Sequence, residues 1–186
     1  AVSGIAPEDY PRLPDPLISL SAAAAVTSKI RLGTGVLLVA QHNPINLAKS
    51  TSTLDVISDG RFEMGIGYGW NREEMFHHGV DFSTRRERVR ETMLAIKRLW
   101  TEEEAEFHGE FIDFDPSWTW PKPVKGKGPR VMLGGAPGPT IFQHIAEFGN
   151  GWMPIGGSGV KASLSELQKV CESKKRDFSE ISIVPF

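Results

Sequence analysis

Helical and strand-like stretches alternate along this chain almost without exception, and that order leaves few folds open. Asp15-Pro16 predicts a capped helix running through Leu17 and Leu20 to about Val26. Ile30 to Val39 reads as a strand. Its second half, Val36-Leu37-Leu38-Val39, is apolar without alternation, as in a strand covered on both faces. After a turn at Gln41-His42-Asn43-Pro44, the residues Leu47, Thr51 and Leu54 recur at helical spacing from Ile45 to about Ile57, and Gly60 supplies the stop. Arg61 to Trp70 is then a strand carrying alternate glycines, followed by a polar turn, Asn71-Arg72-Glu73-Glu74. Thr84 and Glu87 predict a capping box for a helix with Val89, Met93, Ile96 and Trp100 on one face.

Glu102 to Pro123 interrupts this rhythm with acidic residues, aromatics and prolines, and reads as an excursion over one end of the domain. Arg130 to Leu133 resumes as a strand. Gly134 to Thr140 leads into a helix from about Ile141 to Phe148, and Trp152 to Ile155 is a further strand. Ser163-x-x-Glu166 predicts the start of another helix, with Leu164, Leu167, Val170 and Cys171 on one side, and Ile181 to Val184 a last strand. Ala1 to Leu13 is proline-rich and reads as loop. The whole predicts a parallel sheet covered by helices, either doubly wound or closed as a (β/α) barrel.

Composition narrows the partners. With 186 residues, 40% hydrophobic and 24% charged, the chain can bury one core, so residues 1–186 are expected to form a single domain. A net charge of -2 offers no electrostatic footprint for nucleic acid or for an anionic membrane. The most apolar runs are too short to cross a bilayer. The single cysteine, Cys171, has no partner for a disulfide within the chain, and a cytoplasmic compartment is expected.

Gly65-x-Gly67-x-Gly69 suggests close approach of a cofactor at a strand end, although it fails the dinucleotide fingerprint because Trp70 stands where the third glycine belongs. Tight strand packing is the competing reason for these glycines. Gly134-Gly135-Ala136-x-Gly138-x-Thr140, between a strand and a helix start, suits a phosphate, with a plain loop as the alternative. It lacks the Lys-Ser/Thr of a nucleotide-hydrolysing loop. His77-His78 and Glu73-Glu74 have no metal-ligand spacing and read as a solvated turn, so no metal is expected. His42 falls where a turn after a strand presents side chains, and Glu74 follows the glycine strand.

Ile30 to Val36 (Ile-Arg-Leu-Gly-Thr-Gly-Val), Asn43-Pro44, Ala48 to Asp55, Ser58 to Phe62, the glycine strand and Gly149 to Pro154 stand in a recognisable order. Taken together, these motifs resemble the bacterial luciferase-like superfamily, and more narrowly its branch using the deazaflavin coenzyme F420. The resemblance implies a (β/α)8 TIM barrel in which Ile30 to Val39 is the third strand and Arg61 to Trp70 the fourth. Strands three to about seven are recognisable, and further barrel segments are expected outside this sequence. It implies a flavin or deazaflavin across the C-terminal strand ends, backed by a bulge with a non-prolyl cis peptide at Gly35 and Val36. Gly67, Tyr68, Gly69 and Trp70 would lie beside the ring. Gly134, Gly135, Ala136, Gly138 and Thr140 would receive the phosphate. Where sugar-phosphate dehydrogenases of the superfamily carry a glutamate acid, this chain has Trp70. The expected function is F420-dependent hydride transfer to or from a small organic substrate, with His42 and Glu74 as candidate proton donors and a homodimer as the assembly. An FMN-dependent monooxygenase and a cofactor-binding relative without turnover are the alternatives.

Overall fold

In the computed structural model, which describes residues 12–155 and 159–185, five strands form one sheet, and every neighbouring pair in it is parallel. They are β1 (Leu32–Gly33), β2 (Phe62–Ile66) and, after an antiparallel hairpin of β3 (Ala105–His108) and β4 (Asp113–Ser117), β5 (Arg130–Gly135), β6 (Gly151–Pro154) and β7 (Ser182–Ile183). The sheet order is β1-β2-β5-β6-β7, so each strand lies beside the next one and the order never reverses. A doubly wound sheet requires a reversal, whereas a steady advance is the order of a barrel wall. The fold is α/β, an arc of a (β/α) barrel.

The helices are α1 (Pro16–Val26), α2 (Pro44–Ile57), α3 (Arg72–His77), α4 (Arg85–Thr101), α5 (Pro139–Phe148) and α6 (Val160–Ser173). Local chemistry sets their starts. Asp15 Oδ1 accepts from the Ile18 N–H at 2.9 Å, and Asn43 Oδ1 accepts from Ile45 and Asn46 at 3.0 and 3.1 Å, each with proline next in sequence. The core lies between sheet and helices, where Phe62, Met64, Ile66, Val131 and Leu133 meet Val89, Met93, Ile96, Leu99 and Trp100 of α4. Each such side chain contributes about 1.5–3 kcal/mol by leaving water. Trp100 is also fixed in direction, its indole N–H donating to the Ala48 carbonyl at 3.2 Å. At the end of the sheet where β2 begins, the Arg61 guanidinium donates to the carbonyls of Ala24, Thr27, Ile30 and Ser58 and to Thr27 Oγ1, tying α1, the approach to β1 and the exit of α2 together.

Several sequence expectations need correction. The strand expected over Ile30 to Val39 is only Leu32–Gly33, with a single bridge from Leu37 to Ile66 and a 3-10 turn at Val39–Gln41. The chain leaves the ladder as Val36 packs against Gly67 and Gly134; the Gly35–Val36 peptide is cis. The second half of Arg61 to Trp70 likewise leaves the sheet after Ile66. The polar turn at Asn71 is the start of α3, because Asn71 Oδ1 caps Glu74 N and Glu73 and Glu74 sit favourably in the first turn. The Thr84 capping box does not form, since Thr84 Oγ1 donates to the Asp81 carbonyl instead. The helix placed at Ser163 starts at Val160, and Ser163 Oγ donates back to the Gly159 carbonyl. The excursion holds the β3–β4 hairpin, whose tip is pinned by Glu91 accepting from the N–H groups of Glu110, Phe111 and Ile112. The Ala1 to Leu13 loop lies outside the described residues up to position 11. Among the described residues no helix is long and apolar enough to cross a membrane.

The glycine packing gives a test of the fold. A Cβ on Gly65 would overlap the Thr34 carbonyl oxygen, a backbone atom that has little room to move, whereas one on Gly33 would meet its nearest neighbour at 3.4 Å. Gly65→Ala is therefore expected to cost roughly 2 kcal/mol or more, and Gly33→Ala less than about 1 kcal/mol. Urea unfolding midpoints of the two variants check this, and equal losses would contradict it.

Candidate functional site

In a parallel sheet all strands end at one edge, and here that edge gathers Gly35 and Val36 after β1, Tyr68 to Trp70 after β2, and Gly134 to Thr140 at and after the end of β5. Thr34 Oγ1 donates to the Gly65 carbonyl at 2.7 Å, and so does the Leu37 N–H at 2.7 Å, which fixes the bend on both sides of Val36. Val36 then sits in a seat made by two strands. A Cβ on Gly67 would lie 2.5 Å from Val36 Cγ2, and one on Gly134 would lie 2.6 Å from Val36 Cγ1. Gly69 has φ +77°, and the space a side chain would take is filled by Met75 Cε. The alternate glycines of the second strand thus admit the chain's own atoms. The apolar surface offered outward is Val36, which stays 37% exposed, with Trp70 exposed beside the strand exit.

Next to it lies a cleft of about 170 Å³ lined by Tyr68, Arg86 and Gly135 to Ile141. Pro137 and Pro139 have no N–H, so its backbone donors are Ala136, Gly138, Thr140 and Ile141. The α5 start has no side-chain cap, which leaves the first-turn donors and the positive end of the helix dipole facing the cleft. Trp152, fully buried in β6, donates from its indole N–H to the Gly135 carbonyl at 2.9 Å and so holds the loop by its acceptor side. The Arg86 guanidinium stands 5.6 Å from the Tyr68 ring centre, at cation–π distance. Donors, dipole and guanidinium all favour an anion of phosphate size.

Tyr68 is held from behind. Its hydroxyl is 2.8 Å from Nδ1 of His144, which lies on α5 one turn beyond the cleft and is 3% exposed. Burial pushes the imidazole down to about 4 and raises the phenol, so both are neutral near pH 7 and share one hydrogen bond.

His42 and Glu74 are not brought to this cleft. His42 lines a separate polar cleft of about 350 Å³ with Gln41, Asn43, His78 and Arg88 and the hairpin tip. Burial lowers its pKa, with His78 acting the same way and Asp15 opposing. Glu74 Oε1 accepts from Gln41 Nε2 at 3.1 Å. Sequence reasoning missed Arg86, His144 and Trp152. A signal for Arg86 existed, because Arg85-Arg86 put two cations at the start of α4, where the helix dipole disfavours them. Nothing in the sequence marks His144, since the pairing bridges 76 residues.

Residues 4–186 match the family model described as luciferase-like monooxygenase. An uncharacterised protein of Mycobacterium tuberculosis strain H37Rv is 50% identical over 148 residues, which is 79% of this chain and 52% of that protein. The F420-dependent glucose-6-phosphate dehydrogenase of Kineococcus radiotolerans is 33% identical over 151 residues, 79% of this chain and 44% of that enzyme. The crystal structure of the monooxygenase RslO1 from Streptomyces bottropensis superposes with a TM-score of 0.82 at 30% identity, covering 91% of this chain and 54% of that one. The chain spans about half the length of the curated relatives it matches.

The Tyr68–His144 pair generates a pH prediction. The folded pKa of His144, about 4, lies below its value of 6.5 in the unfolded chain. Between these values the unfolded state binds the proton and the folded state does not, so this group's contribution to stability is full above about pH 6.5 and is lost as the pH falls toward 4. Compared by urea unfolding at pH 7 and pH 4.5, His144→Phe should lose less stability on acidification than the native chain. An equal or larger loss would contradict the assignment.

Proposed function

The chain belongs to the luciferase-like monooxygenase family, and from that premise we propose that it binds the deazaflavin coenzyme F420 for hydride transfer to or from a small organic substrate. The observation that carries this reading is the adjacency of an apolar seat, Val36 on Gly67 and Gly134, to an uncapped helix start faced by Arg86. The ring system would rest on the outer face of Val36, with Trp70 as an apolar wall. The N–H groups of Ala136, Gly138, Thr140 and Ile141, the Thr140 hydroxyl and Arg86 would hold the phosphate. When bound, the deazaflavin supplies the hydride chemistry.

The chain's own part is positioning and proton handling. Val36 and Trp70 exclude water from one face, and Trp152 keeps the phosphate loop presented. His42 would carry a proton only for a substrate that reaches the separate cleft at the hairpin tip. Because burial lowers its pKa, it is mostly neutral at pH 7 and suits taking a proton from a substrate hydroxyl rather than delivering one. Glu74 is the second candidate, already engaged with Gln41. The similarity to the F420-dependent dehydrogenase supports the deazaflavin. The similarity to the monooxygenase RslO1 supports the other reading, reduced FMN with oxygen in the same cleft. A relative that binds the cofactor without turnover is the third.

Titration with F420 and FMN in parallel, followed by tryptophan fluorescence, separates these readings. F420 is expected to bind, with anaerobic hydride transfer to candidate substrates visible in its absorbance. Arg86→Gln should weaken binding about tenfold, the effect of one charge-assisted hydrogen bond. Tight FMN binding with oxygen uptake and no affinity for F420 would overturn the deazaflavin reading, and stoichiometric binding without any turnover would favour the third. His42→Ala should lower turnover while leaving cofactor affinity within about twofold, as expected for a proton carrier outside the phosphate cleft.

A further inference from the structure

The N–H groups at the start of α5 and the Arg86 guanidinium, which wall the cleft, can only donate. Tyr68 walls it too, and its hydroxyl can either donate or accept. Which of the two it does is set by His144. The ring centres are 5.8 Å apart, the hydroxyl oxygen lies 2.8 Å from Nδ1, and the histidine is 3% exposed, which leaves neither ring free to turn. Thr140 and His144 are four residues apart on α5 and share a face of it, so the hydroxyl sits one turn from the free N–H groups.

A neutral imidazole carries one proton, on Nδ1 or on Nε2. Among the described residues Nε2 of His144 has no hydrogen-bond partner, and its other ring neighbour is Phe148, with centres 5.5 Å apart. The acid that acts on the ring, Glu147, has both oxygens held by Arg90, at 2.7 and 2.6 Å, and Arg90, Arg86 and Lys174 oppose it as cations. With the proton on Nε2, a buried N–H would lack an acceptor and Tyr68 would turn a lone pair toward an anion in the cleft. With the proton on Nδ1 both faults disappear. Nδ1–H then donates to the Tyr68 oxygen, Nε2 keeps an unpaired acceptor, which proteins tolerate better than an orphaned donor, and the Tyr68 O–H is left to donate into the cleft.

We infer that His144 is a positioning residue which, in the anion-loaded cleft, carries its proton on Nδ1 and so makes the Tyr68 hydroxyl a donor to the bound anion. This role rests on the reading of the α5 start as a phosphate site and deepens it. The anion is then met by donors from both sides, the α5 start on one and Tyr68 on the other. A fully ionised phosphate, which only accepts, suits such a cleft, whereas a ligand group that must donate finds no acceptor in the Tyr68 hydroxyl. His144 does this without touching the ligand, across a pairing that spans 76 residues.

The test uses the 186-residue chain with nitrogen-15-labelled histidine, and inorganic phosphate as the probe. Protonated and bare ring nitrogens differ widely in chemical shift, so the spectrum at pH 7 reads the tautomer directly. At saturating phosphate His144 is expected to show a protonated Nδ1 and a bare Nε2. A proton on Nε2 in the loaded state would overturn the role, while movement of the Gly138 and Thr140 amides on adding phosphate would keep the anion site standing. Tyr68→Phe should weaken phosphate binding roughly tenfold, as for one hydrogen bond to a charged group. His144→Phe should weaken it about threefold, since the hydroxyl remains but is no longer aimed, and should weaken it no further in the Tyr68→Phe background. An unchanged affinity in Tyr68→Phe, or an equal loss from His144→Phe in both backgrounds, would overturn the role as well. The tautomer measurement needs no variant, so a His144→Phe chain that fails to fold leaves the test intact. If phosphate moves no amide of the 136–141 segment in the native chain, the anion site and the role of His144 fall together.

Discussion

The seat of Val36 on Gly67 and Gly134 is the contact on which the rest of the strand-end surface depends. It requires Gly67 just past the end of β2 and Gly134 in β5, and a third glycine, Gly65, to let the Thr34 carbonyl approach β2. With these in place the chain after β1 bends across the ends of β2 and β5 instead of continuing the ladder. One apolar side chain is thereby carried to the sheet's edge, beside the loop that ends β5. Side chains at these glycine positions would push the bend outward and separate the apolar surface from the cleft at the start of α5.

The second constraint is electrostatic. Helix starts carry unsatisfied N–H groups; Asp15, Asn43 and Asn71 close those of α1, α2 and α3, whereas α4, α5 and α6 have no side-chain cap. The start of α5 is not closed, and Arg86 faces it rather than an acid. Local stability would be better served by a cap and a carboxylate, so the arrangement is one that an incoming anion completes. Tyr68 and His144 supply the rigid backing, because a buried hydroxyl bonded to a buried imidazole has no better partner to turn to.

Much of this was legible in the sequence, because periodicity reports burial directly. The helix and strand order, the parallel sheet and the helix starts at Asp15 and Asn43 followed from apolar spacing and capping chemistry. The loop Gly134 to Thr140 does lead into a helix whose start has no side-chain cap. What stayed hidden were long-range pairings. The apolar run Val36 to Val39 looks like a continued strand, because nothing local shows that glycines thirty and a hundred residues away will receive Val36. The glycine triplet suggests room for a cofactor or tight packing, and the room it makes is taken first by Thr34, Val36 and Met75. His42 stands after a predicted strand, but the 3-10 turn at Val39–Gln41 carries it to another cleft. Thr84 fails as a cap because the turn from Asp81 already uses its hydroxyl.

In the proposed complex one ligand lies across Val36 with its phosphate between the start of α5 and Arg86. The most direct measurement is a crystal structure of the chain with a bound deazaflavin or flavin coenzyme. The predicted result is a ring system against Val36, with phosphate oxygens within hydrogen-bond distance of the Ala136, Gly138 and Thr140 N–H groups and of the Arg86 guanidinium. A phosphate held instead in the His42 cleft, or a ring stacked away from Val36, would contradict it.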